Sequence, residues 1–81
     1  MTVEISNERV AYVLKYDLGE VEGPTADLRC TNPENLEDVS TRDGIENDGN
    51  AIVSFPADYH GETEVVITGS DGGEDTGTIE V

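Results

Sequence analysis

The sequence predicts an all-β fold, and three observations lead to this class. Short runs of alternating apolar and polar residues recur along the chain, turn-forming residues separate these runs, and no window has helical periodicity. The length of 81 residues is that of one small domain. We therefore expect a single domain over residues 1–81, built as a β-sandwich of about seven short, mainly antiparallel strands.

The first half of the chain contains three predicted strands. Val3 and Ile5 mark the first of them. The inward residues of the second, central strand are Val10, Tyr12, Leu14 and Tyr16. Residues 19–24 read as a turn, because glycine and proline stand at its two ends. The inward residues of the third strand, which ends near Pro33, are Ala26, Leu28 and Cys30.

The stretch from Glu34 to Gly49 has the least regular pattern of the chain. Leu36, Val39 and Ile45 are its apolar residues among many acids and turn formers. The pattern predicts an irregular segment, within which residues 39–42 could form a short strand. Asp48-Gly49 then predicts a tight turn.

The last third of the chain contains the most regular predicted strands. After the turn at Gly49, the alternation predicts a strand whose inward residues are Ala51, Val53 and Phe55. A closing hairpin follows, with arms over residues 64–68 and 75–81 and a loop over 69–74. Its predicted core residues are Val65, Ile67, Ile79 and Val81.

Residues 55–73, FPADYHGETEVVITGSDGG, and the closing DTGTIEV resemble the last strands of prokaryotic and viral immunoglobulin-like domains. The resemblance implies an immunoglobulin-like β-sandwich, in which Tyr59 would take the place of the aromatic residue at a strand corner. The chain departs from antibody domains because it has no tryptophan and only one cysteine. The disulfide-linked core of those domains is therefore excluded.

The charge of the chain is strongly unbalanced. It has 19 acidic residues and a net charge of −15, against four basic residues: Arg9, Lys15, Arg29 and Arg42. At molar salt the screening length falls to about 3 Å, which removes most of the self-repulsion. We interpret the composition as halophilic adaptation rather than as an ordinary acidic domain or a disordered segment, because the acids alternate with apolar residues. The same charge makes a nucleic-acid partner unfavourable.

Two residues invite a catalytic interpretation. Cys30 lies in a predicted strand interior and His60, the only histidine, lies in a polar corner. A nucleophile needs a base within hydrogen-bonding reach, and this placement separates the two side chains. We predict that the chain is not an enzyme, has no catalytic residues and binds no cofactor.

Clusters of carboxylates offer the remaining chemical interpretation, a site for Ca²⁺ or Mg²⁺. The two candidate sets are Asp71, Glu74 and Asp75 in the hairpin loop, and Asp43, Glu46 and Asp48 in the irregular segment. Neither spacing is that of an EF-hand loop, and diffuse binding of K⁺ or Na⁺ is the more ordinary interpretation. We therefore assign no metal site.

The N-terminus shows no export leader and no segment has the length of a membrane span, so we expect neither export nor a membrane partner. The resemblance and the acidity together lead to a hypothesis: a virion protein of a haloarchaeal tailed virus, assembled in the host cytoplasm. It would decorate the capsid by binding the major capsid protein, through strand edges or the Glu34–Gly49 segment, and could form homo-oligomers there. A tail or head-to-tail position, a cell-surface adhesion module and a cytoplasmic cation-dependent regulator are the alternatives.

Overall fold

The computed structural model of the protein describes residues 2–7, by their backbone alone, and residues 11–81. The strands are β1 (Thr2–Asn7), β2 (Ala11–Lys15), β3 (Thr25–Asn32), β4 (Glu37–Glu46), β5 (Asn50–Ser54), β6 (Glu62–Gly69) and β7 (Glu74–Glu80). The described residues contain no helix, so the all-β prediction is confirmed. Six strands lie within residues 11–81, against about seven predicted for the whole chain. β1, which is described by its backbone alone, precedes them. Val10 and the side chains of Val3 and Ile5 lie outside the described part.

The strands form two antiparallel sheets. β2 and β5 pair with each other, and β1 pairs along the other side of β2; we call these three strands the small sheet. The large sheet has the strand order β4-β3-β6-β7. The chain crosses from one sheet to the other between β2 and β3, β4 and β5, and β5 and β6.

The inward side chains of both sheets form one hydrophobic core. Its buried members are Leu14, Tyr16, Val21, Ala26, Leu28, Cys30, Ala51, Val53, Val65, Ile67 and Ile79. The predicted alternation in β3, β5, β6 and β7 is therefore confirmed at these positions. Tyr12, Phe55 and Val81, which we also expected in the core, are partly buried and pack against its border.

The prediction of an irregular segment over Glu34–Gly49 is wrong. Most of it is β4, a ten-residue strand at the edge of the large sheet. The pattern was obscured because two register shifts interrupt its pairing with β3 and because its inward positions include polar side chains. Gly44 lies in the bulged stretch with φ +64, and its N–H donates to the Asp27 carboxylate at 2.8 Å.

The β2–β3 loop is folded onto the core, which the prediction of a simple turn over 19–24 missed. Val21 is buried, and the side chain of Asn47 donates to the carbonyl oxygens of Val21 and Gly23 at 2.9 and 2.8 Å. The loop also pairs with the β6–β7 turn, at the bridge between Glu22 and Gly72. A side chain at Gly69 would collide with the Glu22 backbone, so this contact requires glycine there.

Aromatic side chains line the opposite end of the molecule, where β5 leads into β6. Phe55 lies 5.5 Å from the Tyr12 ring and 6.0 Å from the Tyr59 ring, measured between ring centroids. The Tyr59 hydroxyl is 2.8 Å from the hydroxyl of the buried Thr63 and donates to the Glu62 carbonyl at 3.3 Å. Tyr59 therefore holds the corner at which β6 begins.

Candidate functional site

The outer face of β2 and β5 differs from the rest of the surface in composition. The two strands, AYVLK and NAIVS, contain no acidic residue, although the chain has 19. Cross-strand pairing places Ala11 opposite Ser54, Val13 opposite Ile52 and Lys15 opposite Asn50 on this face. We call these six residues the β2–β5 face. At its border, Glu4 of β1 pairs with Val13.

The centre of the β2–β5 face is apolar. Ile52 exposes 53% of its surface and Val13, its cross-strand partner, is half-buried. An exposed isoleucine gains little for folding, because most of its surface stays in water. Lys15 lies on the same face, and the guanidinium of Arg42 reaches its edge. The face therefore combines an apolar centre with basic side chains, on a chain with net charge −15.

Side chains of β4 cover the outer edge of β5. Arg42 Nη1 donates to the Ile52 carbonyl oxygen at 2.8 Å, and Ser40 Oγ donates to the Ser54 carbonyl oxygen at 2.8 Å. These contacts join the edges of the two sheets and occupy acceptors that an added strand would need. Most of the Glu34–Gly49 segment, which we expected to be irregular, is thus a strand whose side chains cover the edge of β5.

The outer face of the large sheet is acidic. Its exposed carboxylates include Asp27, Asp38, Asp43, Glu62, Glu64, Glu74 and Glu80. A groove of about 490 Å³ crosses this face, with Val66 and Arg29 among the residues that line it. Arg29 Nε lies 3.6 Å from the Asp38 carboxylate, and both side chains are exposed. This face is therefore a solvated, negatively charged surface.

Cys30 and His60 lie in different environments. Cys30 is fully buried in β3, and burial raises the pKa of its thiol to about 12. The thiol is therefore protonated at neutral pH and is not a nucleophile. His60 is exposed in the β5–β6 loop. A buried and protonated thiol does not supply the thiolate that a Cys-His mechanism needs.

The two carboxylate sets considered for Ca²⁺ or Mg²⁺ do not converge. Among residues 11–81, no three His, Cys, Asp or Glu side chains come together as a metal-binding group. The Asp75 carboxylate instead accepts from the Asp17 N–H at 3.1 Å, and the Asp48 carboxylate accepts from the Asn50 N–H at 3.0 Å. Asp48 thus supports the turn before β5, and Asp75, in β7, holds the start of the β2–β3 loop.

The β2–β5 face was not singled out from the sequence, although a signal for it was present. The alternation placed Ile52 on the outer side of its strand. The absence of acids from 11–15 and 50–54 becomes informative only when the pairing brings the two segments together.

Among the described residues, no helix is long and apolar enough to cross a membrane.

Comparison with known proteins found no matching family model, no matching curated protein and no matching solved structure.

Proposed function

We propose that this chain is a structural binding protein that attaches to another protein through the β2–β5 face. One observation carries the proposal: β2 and β5 have no acidic residue and expose Ile52, whereas the outer face of the large sheet is covered with carboxylates. One side is suited to contact with protein and the other to contact with water.

The cost of desolvation explains why the two faces would have different roles. A carboxylate that is buried at an interface without a partner loses its hydration, and like charges across an interface repel. Burial of Ile52 and Val13 carries no such cost and removes apolar surface from water. For a chain with net charge −15, the β2–β5 face is the surface on which binding meets the least opposition.

The strand order supports an immunoglobulin-like β-sandwich as the finer description of the fold. The large sheet has its central strands β3 and β6 flanked by β4 and β7, and the small sheet pairs β2 with β5. Antibody-type and fibronectin-type domains divide their strands between two sheets in a similar way. Tyr59, at the corner before β6, is in the region where such domains have a tyrosine, although its hydroxyl bonds forward to Glu62 and Thr63.

As the specific function, we propose decoration of the capsid of a tailed virus that infects a halophilic host. The resemblance to viral immunoglobulin-like domains and the acidic composition support this assignment. In it, the β2–β5 face binds the major capsid protein and the large sheet faces the salt-rich medium. The carboxylates would keep particles hydrated and apart at high salt. Assembly would take place in the host cytoplasm.

Quantitative mass spectrometry of purified virus particles tests the proposal. We expect a copy number within a small factor of that of the major capsid protein. A copy number that is a small multiple of three, five or six per particle would instead indicate a vertex, tail or connector position. Absence from particles would contradict the virion assignment and favour an adhesion module of a halophile surface.

A further inference from the structure

The tip of the β3–β4 hairpin carries an exposed leucine in an unfavourable backbone conformation. Leu36 exposes 78% of its surface and has φ +61, the only positive φ among the described non-glycine residues. Residues other than glycine, asparagine and aspartate rarely adopt this conformation, because Cβ approaches the following carbonyl oxygen. Asn35, the preceding residue, is of a type that tolerates it better.

Formation of the turn does not depend on the Leu36 side chain. The backbone N–H of Leu36 donates to the Asn32 carbonyl oxygen at 2.8 Å, a bond that any residue other than proline could make. The side chains of Asn32 and Asn35 accept from the backbone N–H groups of Glu34 and Glu37, each at 3.0 Å. Leu36 is neither in the core nor among the partly buried residues packed against it. Its backbone conformation opposes stability, and its exposed side chain gains little from burial to offset that cost.

Acidic residues flank Leu36 in the sequence. Glu34, Glu37 and Asp38 are all exposed, and they lie within two residues of it in the sequence. An apolar group among carboxylates fits a concave apolar site with a positively charged border. It does not fit a lipid surface, because one leucine buries little area and the carboxylates are repelled by anionic headgroups.

We propose that Leu36 is an anchor that inserts into an apolar pocket on a partner protein, with lysine or arginine residues at the rim of the pocket. Glu34 and Glu37 pair with the basic rim and Leu36 fills the pocket. The anchor is a contact additional to the β2–β5 face. It lies four residues from Ser40, about 13 Å along an extended chain, and Ser40 bonds to Ser54 at the end of that face.

The first experiment measures folding, with Leu36→Asn compared with Leu18→Asn. Leu18 is a suitable control because it is also an exposed leucine beside an acidic residue, with 51% of its surface in water. We expect Leu36→Asn to raise the folding equilibrium constant severalfold in urea titrations at high salt, since asparagine tolerates positive φ. A severalfold fall would show that Leu36 serves the fold and would overturn the proposal.

The second experiment is photocrosslinking in extract of cells that produce the chain naturally. A diazirine amino acid is placed at position 36 or at position 18, and excess unlabelled wild-type or Leu36→Asn chain is the competitor. We expect one product from position 36, attached to a peptide with apolar and basic residues. The wild-type competitor should reduce its yield about tenfold and the Leu36→Asn competitor should not.

Three results would overturn the proposal that Leu36 is an anchor: equal products from positions 18 and 36, equal competition by both chains, or no product.

Flotation with vesicles of phosphatidylcholine and phosphatidylglycerol is the membrane test. If the wild-type chain binds these vesicles and Leu36→Asn abolishes the binding, Leu36 inserts into a lipid surface and the proposed protein pocket is contradicted. None of these readouts requires the partner to be a capsid protein, so failure of the anchor is distinguishable from failure of the virion assignment.

Discussion

The two sheets have similar inner faces and very different outer faces. Leu14 and Val53 of the small sheet and Leu28 and Ile67 of the large sheet are all fully or almost fully buried in the same core. Outside, β2 and β5 carry no acid and Glu4 of β1 lies at their border, whereas every strand of the large sheet carries at least one acid. Folding requires the inner faces to be apolar and leaves the outer faces free to differ. The outer difference is therefore the better guide to function.

The prediction with the largest expected effect tests whether the stability of both sheets depends on one core. Leu14→Ala in β2 and Leu28→Ala in β3 should each lower the free energy of unfolding by about 2–5 kcal/mol, because each removes a buried side chain and leaves a cavity. Denaturant titrations in molar salt measure the loss, and Ile52→Ala is the control, with an expected loss below about 1 kcal/mol. A large loss for Leu28→Ala alone would mean that the small sheet contributes little to stability.

The interior of the large sheet should make stability sensitive to alkaline pH. Burial raises the pKa of the Cys30 thiol from 9.0 to about 12, so folding favours the protonated form. This contribution is complete below pH 9 and is lost as pH rises from 9 towards 12, by about 1.4 kcal/mol per pH unit. Unfolding titrations at pH 8, 9.5 and 10.5 measure the slope. The same slope in Cys30→Val would exclude the thiol as its cause.

The two arginines of the large sheet should differ in their contribution to stability. Arg42 donates to the Ile52 carbonyl oxygen across the edge between the sheets, whereas Arg29 lies exposed beside Asp38. We expect Arg42→Met to cost about 1 kcal/mol and Arg29→Met less than about 0.5 kcal/mol in the free energy of unfolding. Equal losses in denaturant titrations would show that the bond at the edge of β5 does not stabilise the fold.

The smallest effect expected concerns repulsion on the acidic face. Glu62 and Glu80 are directly opposite each other on β6 and β7, so their like charges oppose pairing. Glu80→Gln should raise the free energy of unfolding by about 0.5 kcal/mol at low salt and by less at molar salt. Glu34→Gln, the same change in a hairpin turn, is the control. A gain for Glu80→Gln that does not depend on salt would contradict an electrostatic origin.

Sequence reasoning succeeded where a strand has one apolar face. Ala26, Leu28 and Cys30 in β3 alternate with polar residues, and so do Val65 and Ile67 in β6, because one side of each strand faces the core. The strand bounds were shifted by only one or two residues in the closing hairpin.

The failures occurred where structure depends on contacts between distant segments. β4 has the composition of a loop. Its inward polar residues, Ser40 and Arg42, are explained only by their hydrogen bonds to β5. Val21 is buried because Asn47 and the β6–β7 turn hold its loop against the core. The candidate site was missed for the same reason, since Val13 and Ile52 are 39 positions apart in the sequence and meet only through pairing.

The most direct test of the account compares one acid introduced on each outer face. Ile52→Glu is at the centre of the β2–β5 face, and Thr76→Glu is at an exposed position in the middle of β7. The measurement is the fraction of each chain that sediments with purified virus particles in molar salt, after denaturant titrations show that both variants are folded. We predict a loss of about tenfold or more for Ile52→Glu and less than about twofold for Thr76→Glu. Equal binding by both variants, or a greater loss for Thr76→Glu, would contradict the assignment of the β2–β5 face.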